Sequence, residues 1–118
     1  MTDPASLRDE LREYALSLPE AYEDFPWGER VAKVRKKVFV FLGSDGYQPV
    51  TVGLKLVQSH ALGLAQPGVE PMAYGLGKHG WVYIRLGYET PLEMLRQWTA
   101  ESYRAVAPKS LLGGRASG

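Results

Sequence analysis

ERVAKVRKKVFVFL, residues 29–42, is the stretch on which the fold turns. Ala32 and Val34 alternate with Lys33 and Arg35 at a period of two, and Val38 to Leu42 is continuously apolar, as a strand covered on both faces is. The chain has one place to turn between these runs, Arg35 to Lys37. The stretch therefore predicts a β-hairpin with four bases, Lys33, Arg35, Lys36 and Lys37, at or beside its tip. Two readings of that charge stay open. Phosphate contacts need long cationic side chains on a projecting element, and ordinary β proteins also place lysines at hairpin ends to guard against edge aggregation.

Downstream, GSDGYQ (43–48) supplies turn residues, and Val50, Val52 and Leu54 then alternate with Thr51, Gly53 and Lys55 as a third strand. LVQSHALGLAQPG (56–68) predicts a short helix through Val57, Ala61, Leu62 and Ala65, closed by Pro67-Gly68, with Gly63 inside it costing up to about 1 kcal/mol relative to alanine. VEPMAYGLGKHGWVYIRL (69–86) reads as a short strand, a glycine-rich loop and a strong strand from Trp81 to Leu86. Gly75, Gly77 and Gly80 point to positive φ or to close approach of the backbone. Thr90-Pro91-Leu92-Glu93 has the form of a capping box opening a last helix, whose apolar side is Leu92, Leu95, Trp98, Tyr103 and Val106.

Upstream, Asp3-Pro4 is an N-cap followed by proline at the first helical position, and Leu7, Leu11, Tyr14, Ala15 and Leu18 form one stripe. Arg8, Asp9, Arg12 and Glu13 lie off it. PEAYEDFPWGER (19–30) reads as an aromatic connector that packs down onto a core. The expected architecture is α+β, a two-layer arrangement of one antiparallel sheet with helices on one face, in the order α-β-β-β-α-β-β-α. Residues 1–109 make one domain, and 110–118 a flexible tail.

Length and composition agree. A chain of 118 residues with 45% hydrophobic and 23% charged residues suits one globular core and excludes a disordered or fibrous class. The absence of cysteine removes disulfides, thiolate nucleophiles and sulfur-ligated metals together. No apolar run approaches the ~20 residues of a membrane-spanning helix, and the first residues are acidic and polar where a signal peptide is basic and then apolar. A cytoplasmic monomer is expected. Charge is segregated: residues 1–29 hold eight acids and two bases (net −6), and residues 30–118 hold five acids and twelve bases (net +7). Such segregation steers polyanions to one surface, and it also arises from solvated helix faces.

YGLGKHGWVY (74–83) is a second candidate. Tyr74, Lys78, His79 and Trp81 combine glycine amides, a cation and a stacking surface, without the spacing or the Lys-Ser/Thr pair of a P-loop. Trp81 better suits core or loop packing, and His79 a turn. His60 and His79 are the only histidines, and no serine stands in a nucleophile-elbow context, so no catalytic residue is assigned. Carboxylate catalysis would need the fold to bring Glu23 or Asp24 to His79. The acids Asp9, Glu10, Glu13, Glu20, Glu23 and Asp24 form no dense ridge and read as a solvated face. No metal or cofactor is expected.

YEDFPWGERVAKVRKKVFVFLG (22–43), LAQPGVEP (64–71), GKHGWVYI (77–84) and PLEMLRQWTAESYRAVAPK (91–109), in that order, resemble the MmcQ/YjbR family of small bacterial proteins. The resemblance spans Leu7 to Lys109. It implies an α-β(3)-α-β(2)-α fold, comparable with secretion chaperones and frataxin-like domains, and a DNA-binding role by likeness to double-winged domains. On that implication, Arg30, Lys33, Arg35, Lys36, Lys37, Lys78, His79 and Arg85 are the candidate contacts to double-stranded DNA, with Trp27, Tyr74 and Trp81 as a pocket or stacking group. The alternative is a protein-interaction or chaperone-like module that holds a partner on its sheet face or on the loop from Phe25 to Trp27. This chain departs from the family in having Lys36-Lys37 where a glycine-containing turn is common, which predicts a wider or bulged turn.

Overall fold

The computed structural model describes residues 3–44, 49–73, 75–87 and 89–112. Helix α1 (Pro4–Leu16) begins as its sequence dictates, the Asp3 carboxylate accepting a hydrogen bond from the Ser6 N–H at 2.8 Å. Strands β1 (Tyr22–Asp24), β2 (Arg30–Val34), β3 (Lys37–Gly43) and β4 (Thr51–Lys55) follow, then helix α2 (His60–Leu64), strands β5 (Val69–Pro71) and β6 (Trp81–Arg85), and helix α3 (Leu92–Val106). One antiparallel sheet runs in the order β1-β2-β3-β4-β6-β5. α1 and α3 pack on one face of it, burying Leu11, Ala15, Val34, Phe39, Leu42, Leu54, Ile84 and Leu95. Each of the larger side chains among them contributes on the order of 2 kcal/mol by leaving water, Ala15 much less.

The two-layer α+β architecture holds, with one added strand. The connector is not a loop throughout: Tyr22, Glu23 and Asp24 pair with Lys33, Ala32 and Val31. Tyr22, Glu23 and Asp24 show no apolar alternation, so only pairing with the neighbouring hairpin makes them a strand.

The hairpin turn corrects the second expectation. Arg35 and Lys36 both lie in the left-handed region, at φ 49° and 70°, and Val34 pairs directly with Lys37. This is a tight two-residue turn of the primed kind, built without glycine and not wide or bulged. The irregularities lie instead within the strands, between Arg30 and Val31 and between Ala32 and Lys33, where β3 carries an extra residue. A left-handed Lys36 is strained, so Lys36→Gly is expected to stabilise the protein by about 0.5–1 kcal/mol in a denaturant titration, after the greater unfolded-state freedom of glycine is set against the relief.

Three local readings also change. Thr90 does not cap α3; its hydroxyl accepts the Gly87 N–H at 2.8 Å and closes a turn before the helix. α2 is only five residues long, His60–Leu64, so Val57 and Ala65 lie outside it, and Val57 and Leu62 are 54% and 64% exposed. Gly63 holds the buried position, because a Cβ there would stand 2.7 Å from Leu56 Cδ1 and 3.4 Å from the Trp98 ring. Finally, the tail does not fray at residue 110: Leu111 and Leu112 pack against the core, and residues 113–118 lie outside the described part.

α3 also repairs the sheet. Among the described residues β3 and β4 pair at Val40 with Leu54 and Phe41 with Gly53. Beyond that, the Ser102 hydroxyl bridges the gap by donating to the Phe39 carbonyl at 2.6 Å and accepting the Lys55 N–H at 2.9 Å. Two buried backbone groups that would otherwise be orphaned are thereby satisfied.

Candidate nucleic-acid interface

Adjacent strands run in opposite directions throughout the sheet, so its two ends have different contents. The β2–β3 turn, the C-terminal end of β4 and the loop joining β5 to β6 share one end. The start of β2, the C-terminal end of β6 and the start of β4 share the other. Lys36, Lys37, Lys78 and His79 therefore fall at the first end, all exposed, while Arg30 and Arg85 fall at the second. With strands ~4.8 Å apart, the two basic loops are separated by roughly 14 Å. Lys55, which the sequence reading did not select, ends β4 between them, opposite Trp81. Its only signal was its place as the last residue of an alternating strand.

The acidic segment decides which charges are available. As an edge strand, β1 lies beside basic β2 and neutralises it. Asp24 Oδ2 accepts from Lys33 Nζ at 2.7 Å, Glu20 forks with the Arg35 guanidinium beyond the strand end, and Glu23 stands between Arg12, at 2.6 and 2.7 Å, and Arg30, at 3.3 Å. Arg30 also lies over the Phe25 ring, 5.7 Å from its centroid. The hydrogen bond from Lys33 holds the Asp24 carboxyl below its usual range, and those from Arg35 and Arg12 do the same for Glu20 and Glu23. Reciprocally, Lys33 and Arg35 are pushed up and stay charged but compensated. Solvent-exposed pairs of this kind contribute little to stability; their larger effect is to remove three of the eight candidate positions from the free positive field. Lys36, Lys37, Lys55, Lys78 and Arg85 carry no ion pair with a carboxylate among the described residues.

The glycine-rich loop is shaped by two separate requirements. Gly75 and Gly80 have φ of 83° and 96°. Gly77 does not, and is glycine because a Cβ would meet the Met72 carbonyl oxygen at 2.7 Å. A 3₁₀ turn over Gly77–His79 presents Lys78 and His79 outward. Glu23 and Asp24 sit on the opposite edge of the sheet, so the fold does not bring them to His79.

The helix-free face carries the aromatic residues. Phe41 packs over Gly53, where a Cβ would stand 3.2 Å from its ring, and meets Trp81 edge-on with centroids 5.4 Å apart. Met72 fills the space beside them and Tyr83, 41% exposed, stands above. Towards the second end this face deepens into a concavity of about 390 Å³ between Phe41, Thr51, Glu70, Tyr83, Arg85 and Arg8. Trp81 is thus half-buried as floor, while Tyr74 and the side chain of Trp27 lie outside the described part. Among the described residues no three carboxylate or histidine side chains converge as a metal site, and no helix is long and apolar enough to cross a membrane.

The YjbR family model matches residues 16–105. This chain belongs to the YjbR family. A solved structure from Deinococcus radiodurans containing a DUF419 domain is similar at 28% identity and a TM-score of 0.68, over 80% of this chain and 74% of that one. A Pseudomonas syringae protein of 19% identity, with a TM-score of 0.65 over 84% of this chain and 97% of its own, shares the fold. No curated protein sequence matches the chain. YjbR membership accounts for the motif order read in the sequence and for the sheet that carries it, and leaves the activity to be argued from the surface.

Proposed function

We propose that this YjbR protein is a non-enzymatic DNA-binding module of the cytoplasm, acting as a monomer and holding phosphates with the basic end of its sheet. The observation that carries this reading is that two projecting loops share that end, the β2–β3 turn and the β5–β6 loop, with Lys36, Lys37, Lys78 and the intervening Lys55 all lacking carboxylate partners among the described residues. Two such loops on one sheet end have the form of a double wing. Their spacing lets both lie along one polyanion.

The ion pairs of Glu20 and β1 set the size of the effect. Were all the bases of both loops and β2 engaged, the slope of log affinity against log salt would approach about −6; with Lys36, Lys37, Lys55 and Lys78 alone it is about −3 to −4. Fluorescence anisotropy with a labelled duplex from 50 to 200 mM salt is expected to give the shallower slope, a loss of roughly 10²-fold in affinity. Lys36→Glu, Lys37→Glu and Lys78→Glu together should abolish binding while the circular dichroism spectrum is retained. A slope near zero, or no binding by the native protein at low salt, overturns the reading.

A protein-interaction or chaperone-like role is the second reading. It is supported by Phe25 and Leu62, apolar side chains 53% and 64% exposed. It requires salt-insensitive capture of a partner and no effect of the lysine reversals.

A further inference from the structure

We infer that the helix-free face of the sheet is a stacking platform for single-stranded nucleic acid, entered from the basic end. This inference rests on the nucleic-acid reading and adds the class of substrate. It starts from the side chains that β6 turns away from the helices: Trp81, Tyr83 and Arg85 alternate with core residues Val82 and Ile84. An ordinary solvent-facing strand would be polar at these places. Here two consecutive outward positions are aromatic, and a third ring, Phe41, lies on the adjoining floor.

That floor is built rather than incidental. Val31 and Met72 are buried yet stand outside the main core cluster, so the helix-free face has an apolar layer of its own. Gly53 lets Phe41 lie flat across β4, and the Phe41–Trp81 contact fixes the Trp81 ring. Tyr83 is left as an exposed π-surface on a rigid support. Rigid aromatic surfaces next to cations are what sequence-tolerant binding of single strands uses, because every base has a π-face and every nucleotide a charge.

The charges define a path. Lys55 is directly opposite Trp81, Thr51 is opposite Arg85, and Lys78 stands in the loop leading into β6. Trp81, Tyr83 and Arg85 are each ~6.7 Å from the next along the strand. A strand leaving Lys36, Lys37 and Lys78 thus meets a ring, a second ring and then Arg85. Glu70, opposite Tyr83 on β5, repels phosphate from that side. The backbone of the ligand therefore runs on the β4 side, past Lys55 and Thr51, with its bases turned over Tyr83. A duplex cannot use this face, since its bases are stacked on one another and its phosphates face outward; it engages only the loops.

The test compares labelled oligothymidine with a duplex in anisotropy titrations at low salt, using the native chain, Tyr83→Ala, Tyr83→Phe and the triple lysine reversal. Tyr83 is partly exposed and outside the core, and a thermal melt verifies that each variant folds. Tyr83→Ala is expected to weaken oligothymidine binding at least about fivefold, with duplex binding unchanged and Tyr83→Phe restoring the native value. If the duplex binds but oligothymidine binds no better after the ring is kept than after it is removed, the platform is overturned and the phosphate-binding loops stand. If Tyr83→Phe fails to restore binding, the tyrosine acts through its hydroxyl and stacking is overturned. If the native protein binds neither nucleic acid at low salt, both readings fall together and the face belongs to a protein partner.

Discussion

Glu101→Ala should lower the stability of the protein by about 3 kcal/mol, a fall of roughly 12 °C in melting temperature at this chain length. Glu101 is only 6% exposed, on the side of α3 that faces the sheet end. Its Oε2 accepts the Val57 N–H at 2.6 Å and the Ser59 N–H at 3.0 Å, two donors at the start of the α2 turn that have no helical partner. Burial by itself would raise its pKa, yet the hydrogen bonds from Ser59 and Val57 outweigh it and the carboxyl sits below its ordinary 4.5. With the folded value depressed, the contribution of this carboxylate is complete above the unfolded pKa and is lost as pH falls through the folded one. Glu101→Gln keeps an acceptor and removes the charge. It should therefore cost only about 1 kcal/mol at pH 7, and the gap to the native protein should close in urea titrations carried below pH 4. A gap independent of pH would mean that the carboxylate is not what holds the 56–59 turn.

Gly80→Ala should be as costly, about 3 kcal/mol or more. Two penalties add at one atom: the residue sits at φ 96°, and a Cβ would lie 2.5 Å from the Leu56 carbonyl oxygen, a backbone atom that cannot rotate away. Leu56 N–H in turn donates to the Gly80 carbonyl at 2.9 Å, so displacement of either chain breaks the contact that docks the β5–β6 loop to β4. Gly75→Ala in the same loop has a similar φ, but its nearest neighbour would be the Lys78 side chain at 3.9 Å, so its cost should be about 1 kcal/mol. Paired thermal melts check the ratio. Because Gly80 fixes the loop that presents Lys78, Gly80→Ala should also weaken duplex binding in a protein that is still folded at 10 °C, whereas Gly75→Ala should leave it near native.

The hairpin of residues 29–42 and the helices at each terminus were legible because long-period signals survive translation into structure. Leu7, Leu11 and Ala15, or Leu95 and Trp98, report one buried stripe whatever their partners are. Two details of the short elements were not. Tyr22 to Asp24 has no period to read, and α2 is helical through packing, with Gly63 rather than an apolar side chain against Leu56 and Trp98. Arg8, off the apolar stripe, is only 9% exposed, and its guanidinium reaches the Ser44 carbonyl, 36 residues away.

The basic residues show the same division. Their number and order were plain from the chain, and so was the excess of acid before residue 30 and of base after it. The sequence by itself determined five of the six strands, the helices at each terminus and the family to which they belong, since these follow from local patterning and from motif order. Only the tertiary structure decided that β1 lies against β2, that β1 and the preceding Glu20 compensate Arg30, Lys33 and Arg35, that Arg85 and Lys78 stand at opposite ends, and that Lys55 joins the basic end. Charge acts through distance in space, and the distances between residues far apart in the chain are set by strand order and register, which no local pattern encodes.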